Sequence, residues 1–167
     1  MLGMGGFQMQ AIAQGYLVYQ MTGSAKLLGL ISAASAAPLL GLALFGGAIA
    51  DRVDRKRLIQ GGQVVGAGLP LFIAVSIVTN TITWVHFLGV ALVLGAIWSV
   101  VVPARQAMLP HLVGREQLGN AVALIAAGMG AASLLAPAIA GLLYAALGPA
   151  GVYFTVTAMV CIAVLLT

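Results

Sequence analysis

Charged residues are scarce in this sequence of 167 residues, where Asp, Glu, Lys and Arg make up only 6% of the total. Soluble domains carry roughly 25% charged residues, so this composition argues against a water-soluble fold. Only three residues are acidic, and no cluster of His, Cys, Asp or Glu suits a metal ion. No nucleophile is paired with a base in a pattern that suits catalysis. The sequence therefore predicts no enzyme activity, no metal site and no cofactor.

Cysteine is almost absent as well, because Cys161 is alone in the sequence and cannot form an internal disulfide. The formal net charge is +4, but the basic residues lie in short segments between apolar runs. The chain lacks a basic face with interleaved aromatic residues, which argues against nucleic-acid binding. The first apolar run has no basic segment before it and contains Gln8, Gln10 and Gln14, so a signal peptide is not predicted.

Long apolar runs dominate what is present, with hydrophobic residues at 62% of the chain. About 20 apolar residues cross the hydrocarbon core as a helix. The pattern predicts an all-α membrane protein with six transmembrane helices, at about residues 2–19, 27–50, 58–78, 84–102, 118–147 and 152–166. An amphipathic loop is expected from Pro103 to Gln117, and Gly148 to Gly151 is expected to turn the chain.

Lys and Arg residues are concentrated in two of the predicted loops. The second and fourth loops contain Arg52, Arg55, Lys56, Arg57, Arg105 and Arg115. The other loops contain only Lys26. Cytoplasmic loops carry an excess of Lys and Arg, so both charged loops, and with them both termini, are predicted to be cytoplasmic.

Small residues recur on two of the predicted helices at the spacing that allows close helix packing. Gly62 and Gly66 form a G-x-x-x-G pair on the third helix. Gly128, Ala132, Ala136 and Ala140 form a ladder with a period of four on the fifth. Both patterns predict close approach of neighbouring helices.

The segment 46–59 holds six of the ten charged residues and lies between two apolar runs. Charge is costly in hydrocarbon, so this segment is predicted to lie in water or among headgroups. It resembles the loop between helices 2 and 3 of the major facilitator superfamily, often written G-x-L-A-D-R-x-G-R-R. The residues that carry the resemblance are Gly47, Asp51, Arg52, Arg55 and Lys56. Asp54 stands where that signature has Gly, and a generic positive-inside loop is the alternative interpretation.

Three further segments resemble the branch of this superfamily that contains enterobactin, macrolide and drug exporters. Residues 19–30 are similar to its helix 1–2 turn, and residues 103–121 to its helix 4–5 loop. Pro137 and Gly141 are similar to the Gly-Pro-x-x-x-Gly stretch of helix 5 in antiporters, although Ala136 replaces its first Gly.

The resemblance implies a secondary active transporter that exports a small amphiphilic molecule by alternating access, coupled to proton antiport. It implies the N-terminal six-helix half of the fold, built as two inverted three-helix repeats, in the bacterial inner membrane. Its expected partners are the substrate, the lipid bilayer and a missing C-terminal half. A non-transporting membrane bundle or a pore is the alternative.

In this family interpretation the charged segment is a conformational latch. Asp51 would accept backbone N–H bonds at a helix N-terminus of the other half, where the helix dipole favours an anion. Arg55 and Glu116 are expected to pair, because Glu116 is the only carboxylate outside the segment. A solvated basic loop without a latch role is the alternative.

The resemblance also places helices 1 and 4 on the central cavity. Gln10 and Gln14 share a helical face and are expected to line that cavity, with Trp98 as an aromatic wall. Hydrogen bonding between helices is the alternative for the glutamines, and packing for Trp98. The middle of each predicted span lacks Asp, Glu, Lys and Arg, so a buried proton-coupling carboxylate is expected in the other half.

Overall fold

The computed structural model describes the backbone of residues 2–52, 55–112 and 117–165, and the side chains of residues 5–42, 58–104, 117 and 119–165. Within these ranges the chain forms five helices joined by short turns. They are α1 (Leu2–Thr22), α2 (Ala25–Arg52), α3 (Arg55–Val78), α4 (Trp84–Leu112) and α5 (Leu118–Leu165). Helix satisfies every backbone hydrogen bond within one segment, which is what an apolar environment requires.

Several predicted helix ends are wrong, and the largest error concerns α4. The predicted loop from Pro103 to Gln117 is helical as far as Leu112. The apolar span in this helix ends at Ala104, but residues 104–109 are nearly all good helix formers, so the helix continues past the apolar part. The other three corrections are smaller. α1 ends at Thr22 instead of residue 19, α2 covers Ala25–Arg52 instead of 27–50, and α3 begins at Arg55 instead of residue 58.

The predicted turn from Gly148 to Gly151 is shorter than expected, because only Gly148 departs from helical geometry within α5. Its φ of 69° lies in the left-handed region, which glycine adopts readily. This break divides α5 into a first arm (residues 118–147) and a second arm (residues 149–165).

The two arms lie beside the same part of α1. Gln8 Nε2 donates to Ser133 Oγ of the first arm at 2.9 Å, and a Cβ at Gly5 would lie 3.7 Å from Met159 Cε of the second arm. In a continuous helix Ser133 and Met159 would be about 39 Å apart. The chain therefore reverses direction at Gly148.

Short capped turns join the other helices. Gly23, with φ 62°, ends α1, where its N–H donates to Tyr19 O at 2.8 Å. At the start of α4 the Thr83 N–H donates to His86 Nδ1 at 3.1 Å. This is the capping-box geometry with His in the usual Glu position, so His86 has a structural role at this turn.

The helices pack as two pairs with α3 between them. α2 packs mainly on α4, α1 packs mainly on α5, and α3 contacts both α4 and α5. One core cluster takes residues from all five helices, with Tyr153 and Phe87 as its largest fully buried side chains. Their ring centroids are 6.4 Å apart.

The start of α3 and the end of α4 lie at the same end of the bundle. Ile59, near the start of α3, packs with Val101 and Ala104 near the end of α4 in a separate small cluster. That the loops next to these helix ends are cytoplasmic stays a prediction from the Lys and Arg distribution.

Four helical stretches of the described chain are long and apolar enough to cross a membrane. They are Ala25–Leu42, Leu58–Val78, Trp84–Ala104 and Gly119–Leu165. The last contains both arms of α5. α1, with its four glutamines, is not among them, although its 21 residues would span about 31 Å.

Candidate functional site: a cavity between the two helix pairs

A cavity of ≈ 890 Å³ lies between the α2–α4 pair and the α1–α5 pair. Its walls come from α1, α2, α4 and the first arm of α5. This volume lies within the range of about 300–1,000 Å³ that is typical of small-molecule sites. The fold therefore places a cavity large enough for a small molecule where the two pairs face each other.

The structure brings all three predicted cavity residues together in this lining. Gln10 and Gln14 contribute from α1, and Trp98 contributes from α4. Gln10 is 4% exposed, whereas Gln14 is half-buried. That these residues hold a substrate stays a prediction, although all three line the same cavity, as that role requires.

An aromatic pair forms part of the wall. The Phe7 and Trp98 rings have centroids 5.0 Å apart and planes inclined at 57°, a tilted arrangement that is favourable for aromatic rings. Phe7 lies three residues before Gln10 on α1, so one turn of this helix presents both a ring and an amide to the cavity.

Sequence reasoning missed the remaining polar groups of the lining, which are Gln8, Ser32, Ser35, Ser99 and Ser133. Two of the serines donate to their own helices, Ser35 Oγ to Ser32 O and Ser99 Oγ to Ala96 O, each at 2.7 Å. Their hydroxyl oxygens keep acceptor capacity. The i, i+3 spacing of Ser32 and Ser35 was the signal that could have identified this face of α2.

The described lining of the cavity contains no Asp, Glu, Lys, Arg or His. Its polarity comes from three amides and four hydroxyls, and the rest is apolar or aromatic. Moving an ionised group into such surroundings without a partner is costly, whereas a neutral polar group can be hydrogen-bonded. The cavity is chemically suited to a neutral or weakly polar amphiphile.

The latch residues cannot be compared with their predicted roles. The side chains of Gly47, Asp51, Arg52, Arg55 and Lys56 lie outside the described residues, as does all of Glu116. The backbone places Asp51 and Arg52 at the end of α2, and Arg55 and Lys56 at the start of α3. The latch and the Arg55–Glu116 pair remain predictions.

The antiporter-like pair on α5 lies on the outside of the bundle. Pro137 and Gly141 are both exposed, and a Cβ at Gly141 would meet no described heavy atom within 4 Å. Their neighbours Ala136 and Ala140, by contrast, are buried in the core. The structure therefore shows no tight packing at Gly141 within the described residues, and the role of the pair stays a prediction.

A protein-family model described as transmembrane secretion effector, of the major facilitator type, matches residues 1–167. No curated protein and no solved structure matches the chain significantly.

Proposed function

We propose that this chain exports a small amphiphilic molecule by alternating access. The premise is its family, since the chain belongs to the transmembrane secretion effector family of the major facilitator superfamily. The chain is a multi-pass membrane protein of a transporter family. Export, proton antiport and a bacterial inner-membrane location with cytoplasmic termini are the finer parts of the proposal. They rest on the sequence resemblance to exporters and on the Lys and Arg distribution.

The observation that carries the proposal is the cavity of ≈ 890 Å³, whose described lining carries no charge and includes Gln10, Gln14 and Trp98. An exporter of amphiphiles needs apolar surface for the hydrophobic part and hydrogen-bonding groups for the polar part. A pore would instead need a recurrent polar stripe or a ring of charge along a channel. The polar groups of the described lining surround one cavity, and this lining contains no ring of charge.

The proposed architecture has six membrane-crossing helices as two inverted three-helix repeats, with the two arms of α5 as the fifth and sixth. The reversal at Gly148 supports this count, since it brings both arms beside α1. A second six-helix half would complete the cavity from the opposite side. Alternating access would then be the rocking of the two halves about this cavity.

The proposed coupling is proton antiport with the proton carrier outside this chain. In the sequence, all three acidic residues, Asp51, Asp54 and Glu116, lie outside the predicted membrane spans. A membrane-embedded proton carrier is normally an ionisable residue within a span. The proposal assigns this chain a substrate-binding wall and assigns it no catalysis.

The test is efflux of Nile red, a neutral amphiphile, from proteoliposomes that contain the full-length protein and an imposed pH gradient. We expect efflux to follow the gradient and to stop when an ionophore dissipates it. Gln14→Ala should raise the apparent KM about three- to tenfold, because one hydrogen bond to the substrate is lost. The matched control is Gln60→Ala, since Gln60 is an amide on α3 that is absent from the cavity lining. A flux that does not depend on the pH gradient, and that does not saturate with Nile red concentration in either variant, would favour the pore.

The latch proposal has its own test in the full-length protein. Asp51→Asn keeps the shape of the side chain but removes the charge that a helix N-terminus favours, a loss of roughly 0.3–2 kcal/mol. The conformation that the latch holds should lose population, because a contact made in one state only biases the equilibrium toward that state. Transport should slow while folding stays intact. Wild-type transport by Asp51→Asn would contradict the latch.

A further inference from the structure

A second, smaller pocket adjoins the cavity, between α1, α3, α4 and the second arm of α5. Its volume is ≈ 80 Å³. Four residues line both spaces, and they are Phe7, Gln10, Leu94 and Trp98. The aromatic pair and Gln10 therefore form the boundary between the cavity and this pocket. The α3 side of the pocket is formed by Gly62, Gln63 and Gly66.

Two buried amide atoms on this pocket have no hydrogen-bond partner among the described residues, Gln10 Nε2 and Gln63 Oε1. Gln10 is 4% exposed, so water cannot easily satisfy it from the surface. Leaving a buried donor or acceptor unpaired is costly, and such groups in native proteins normally have a partner. Both atoms are closed off from a molecule the size of water, so each side chain has to rotate for a group placed between α1 and α3 to reach it. Because every amide carries a donor and an acceptor, the rotated pair would present both to that group.

We propose that this space, the amide pocket, binds the polar head of the transported molecule, and that the head is a neutral group that both donates and accepts, of the carboxamide or hydroxyl class. The proposal rests on the proposed function and specifies its substrate. The apolar part of the molecule occupies the larger cavity, and the boundary formed by Phe7 and Trp98 packs against the part that connects the two.

Size and charge both select this class of head group. A water molecule needs about 10–15 Å³ of such space, so ≈ 80 Å³ is several times what one water requires and accommodates a carboxamide. The described lining of the amide pocket contains no ionisable side chain. An ammonium or carboxylate head would enter without a counter-charge, which is far more costly than burying a neutral group that finds hydrogen bonds.

The test compares two probes that differ only in the head. One is 4-phenylbutanamide, and the other is (4-methylpentyl)benzene, in which an isopropyl group of similar shape replaces the carboxamide. Equilibrium binding of each radiolabelled probe is measured on the purified full-length protein in nanodiscs. We expect the wild type to prefer the amide probe. Gln63→Leu should weaken the amide probe about tenfold and leave the hydrocarbon probe within twofold.

A pair of glycine variants tests the space itself. Gly66 lines the amide pocket and Gly68 does not, yet at both positions a Cβ would meet no described heavy atom within 4 Å. Both substitutions are therefore expected to fold. Gly66→Ala should narrow the pocket and weaken the amide probe, whereas Gly68→Ala should bind it as the wild type does. Equal binding of the two probes by the wild type, or equal weakening of both by Gln63→Leu, would assign the pocket to packing or solvent and overturn the proposal.

Flux of the same probes in proteoliposomes separates this proposal from the proposed function. Selective binding of the amide probe without flux of either probe would keep the amide pocket and contradict export. Flux of both probes that follows the pH gradient at equal rates, unchanged by Gln63→Leu, would keep export and overturn the amide pocket.

Discussion

The two helix pairs that enclose the cavity are joined in different ways. Between α2 and α4 the contact depends on a missing side chain. A Cβ at Gly95 would clash with the carbonyl oxygen of Ser35, and it would lie 3.0 Å from the Ser35 carbonyl carbon and 3.3 Å from its Cα. Here the backbone of one helix lies directly against the other, and Gly95 and Ser35 also line the cavity.

Between α1 and the first arm of α5 the contact depends on long polar side chains. Gln8 Nε2 donates to Ser133 Oγ at 2.9 Å, and Tyr144 Oη donates to Gln20 Oε1 at 2.8 Å. The rings of Tyr16 and Tyr144 also meet edge to face, with centroids 4.8 Å apart. The helices are joined here by side chains that can change rotamer and exchange partners.

The difference shows how each pair can respond during transport. In lipid no hydrophobic drive holds helices together, so close packing and interhelical hydrogen bonds have to do so. A backbone contact at a glycine has one geometry and fails when that geometry is lost. Side-chain hydrogen bonds are individually weak and can form again after a shift. We therefore expect α2–α4 to move as one body and the α1–α5 contact to tolerate adjustment.

The largest expected effect comes from adding one methyl group to the α2–α4 contact. Gly95→Ala places a Cβ against backbone atoms of Ser35, which cannot rotate away, so the helices must separate. Such overpacking costs typically about 1–3 kcal/mol. The measurement is the free energy of unfolding in an SDS titration of mixed micelles. Amphiphile binding should fall as well, because both residues line the cavity.

The control for this prediction is Gly89→Ala on the same helix. A Cβ at Gly89 would meet no described heavy atom within 4 Å, and alanine favours helix over glycine by about 1 kcal/mol. The control should therefore be as stable as the wild type or slightly more so. Equal stability of the two alanine variants would show that the α2–α4 backbone contact is not close in the membrane.

A smaller effect is expected where a glycine faces side chains instead of backbone. A Cβ at Gly62 would lie 2.6 Å from Val101 Cγ2 and 3.2 Å from Ile97 Cγ2. These groups can shift, so Gly62→Ala should cost about 1 kcal/mol, at the low end for overpacking. The decisive measurement is a double-mutant cycle with Val101→Ala, which removes the obstructing methyl group. The double variant should lose less stability than the two single losses added together. Strict additivity would contradict the contact.

Sequence reasoning identified the helices because membrane crossing imposes a length of apolar chain that is easy to read. It identified Gln10 and Gln14 because amides are rare in such runs and need partners. It misjudged the end of α4 because an apolar run marks where the hydrocarbon stops. The helix itself is free to continue past the apolar run, as it does here to Leu112.

The contacts that glycines make were beyond prediction from spacing alone. Gly62 and Gly66 both border the amide pocket, yet among the described residues an added Cβ would meet α4 at Gly62 and nothing at Gly66. Gly95 lies between Ala91 and Ser99 at the same spacing of four, but that spacing does not show that its partner is the backbone of Ser35 on α2. Whether a glycine is used for close packing depends on which helix lies opposite, and that follows from the tertiary fold.

The smallest expected effect concerns the polar contact between α1 and α5. Tyr144→Phe removes the donor to Gln20 Oε1 and keeps the ring that meets Tyr16. Interhelical hydrogen bonds in membranes average about 0.6 kcal/mol, and this one is exposed, so we expect a loss of about that size in the free energy of unfolding. The control is Tyr19→Phe, because the Tyr19 side chain is exposed and its hydroxyl makes no hydrogen bond within the described structure. A double-mutant cycle with Gln20→Ala isolates the pair, since loss of either partner should remove the same interaction. A coupling energy near zero would mean that the rings and the neighbouring packing hold α1 to α5 without this hydrogen bond. A coupling well above about 1.7 kcal/mol would exceed what such bonds contribute in membranes, and it would make the α1–α5 contact as rigid as the α2–α4 contact.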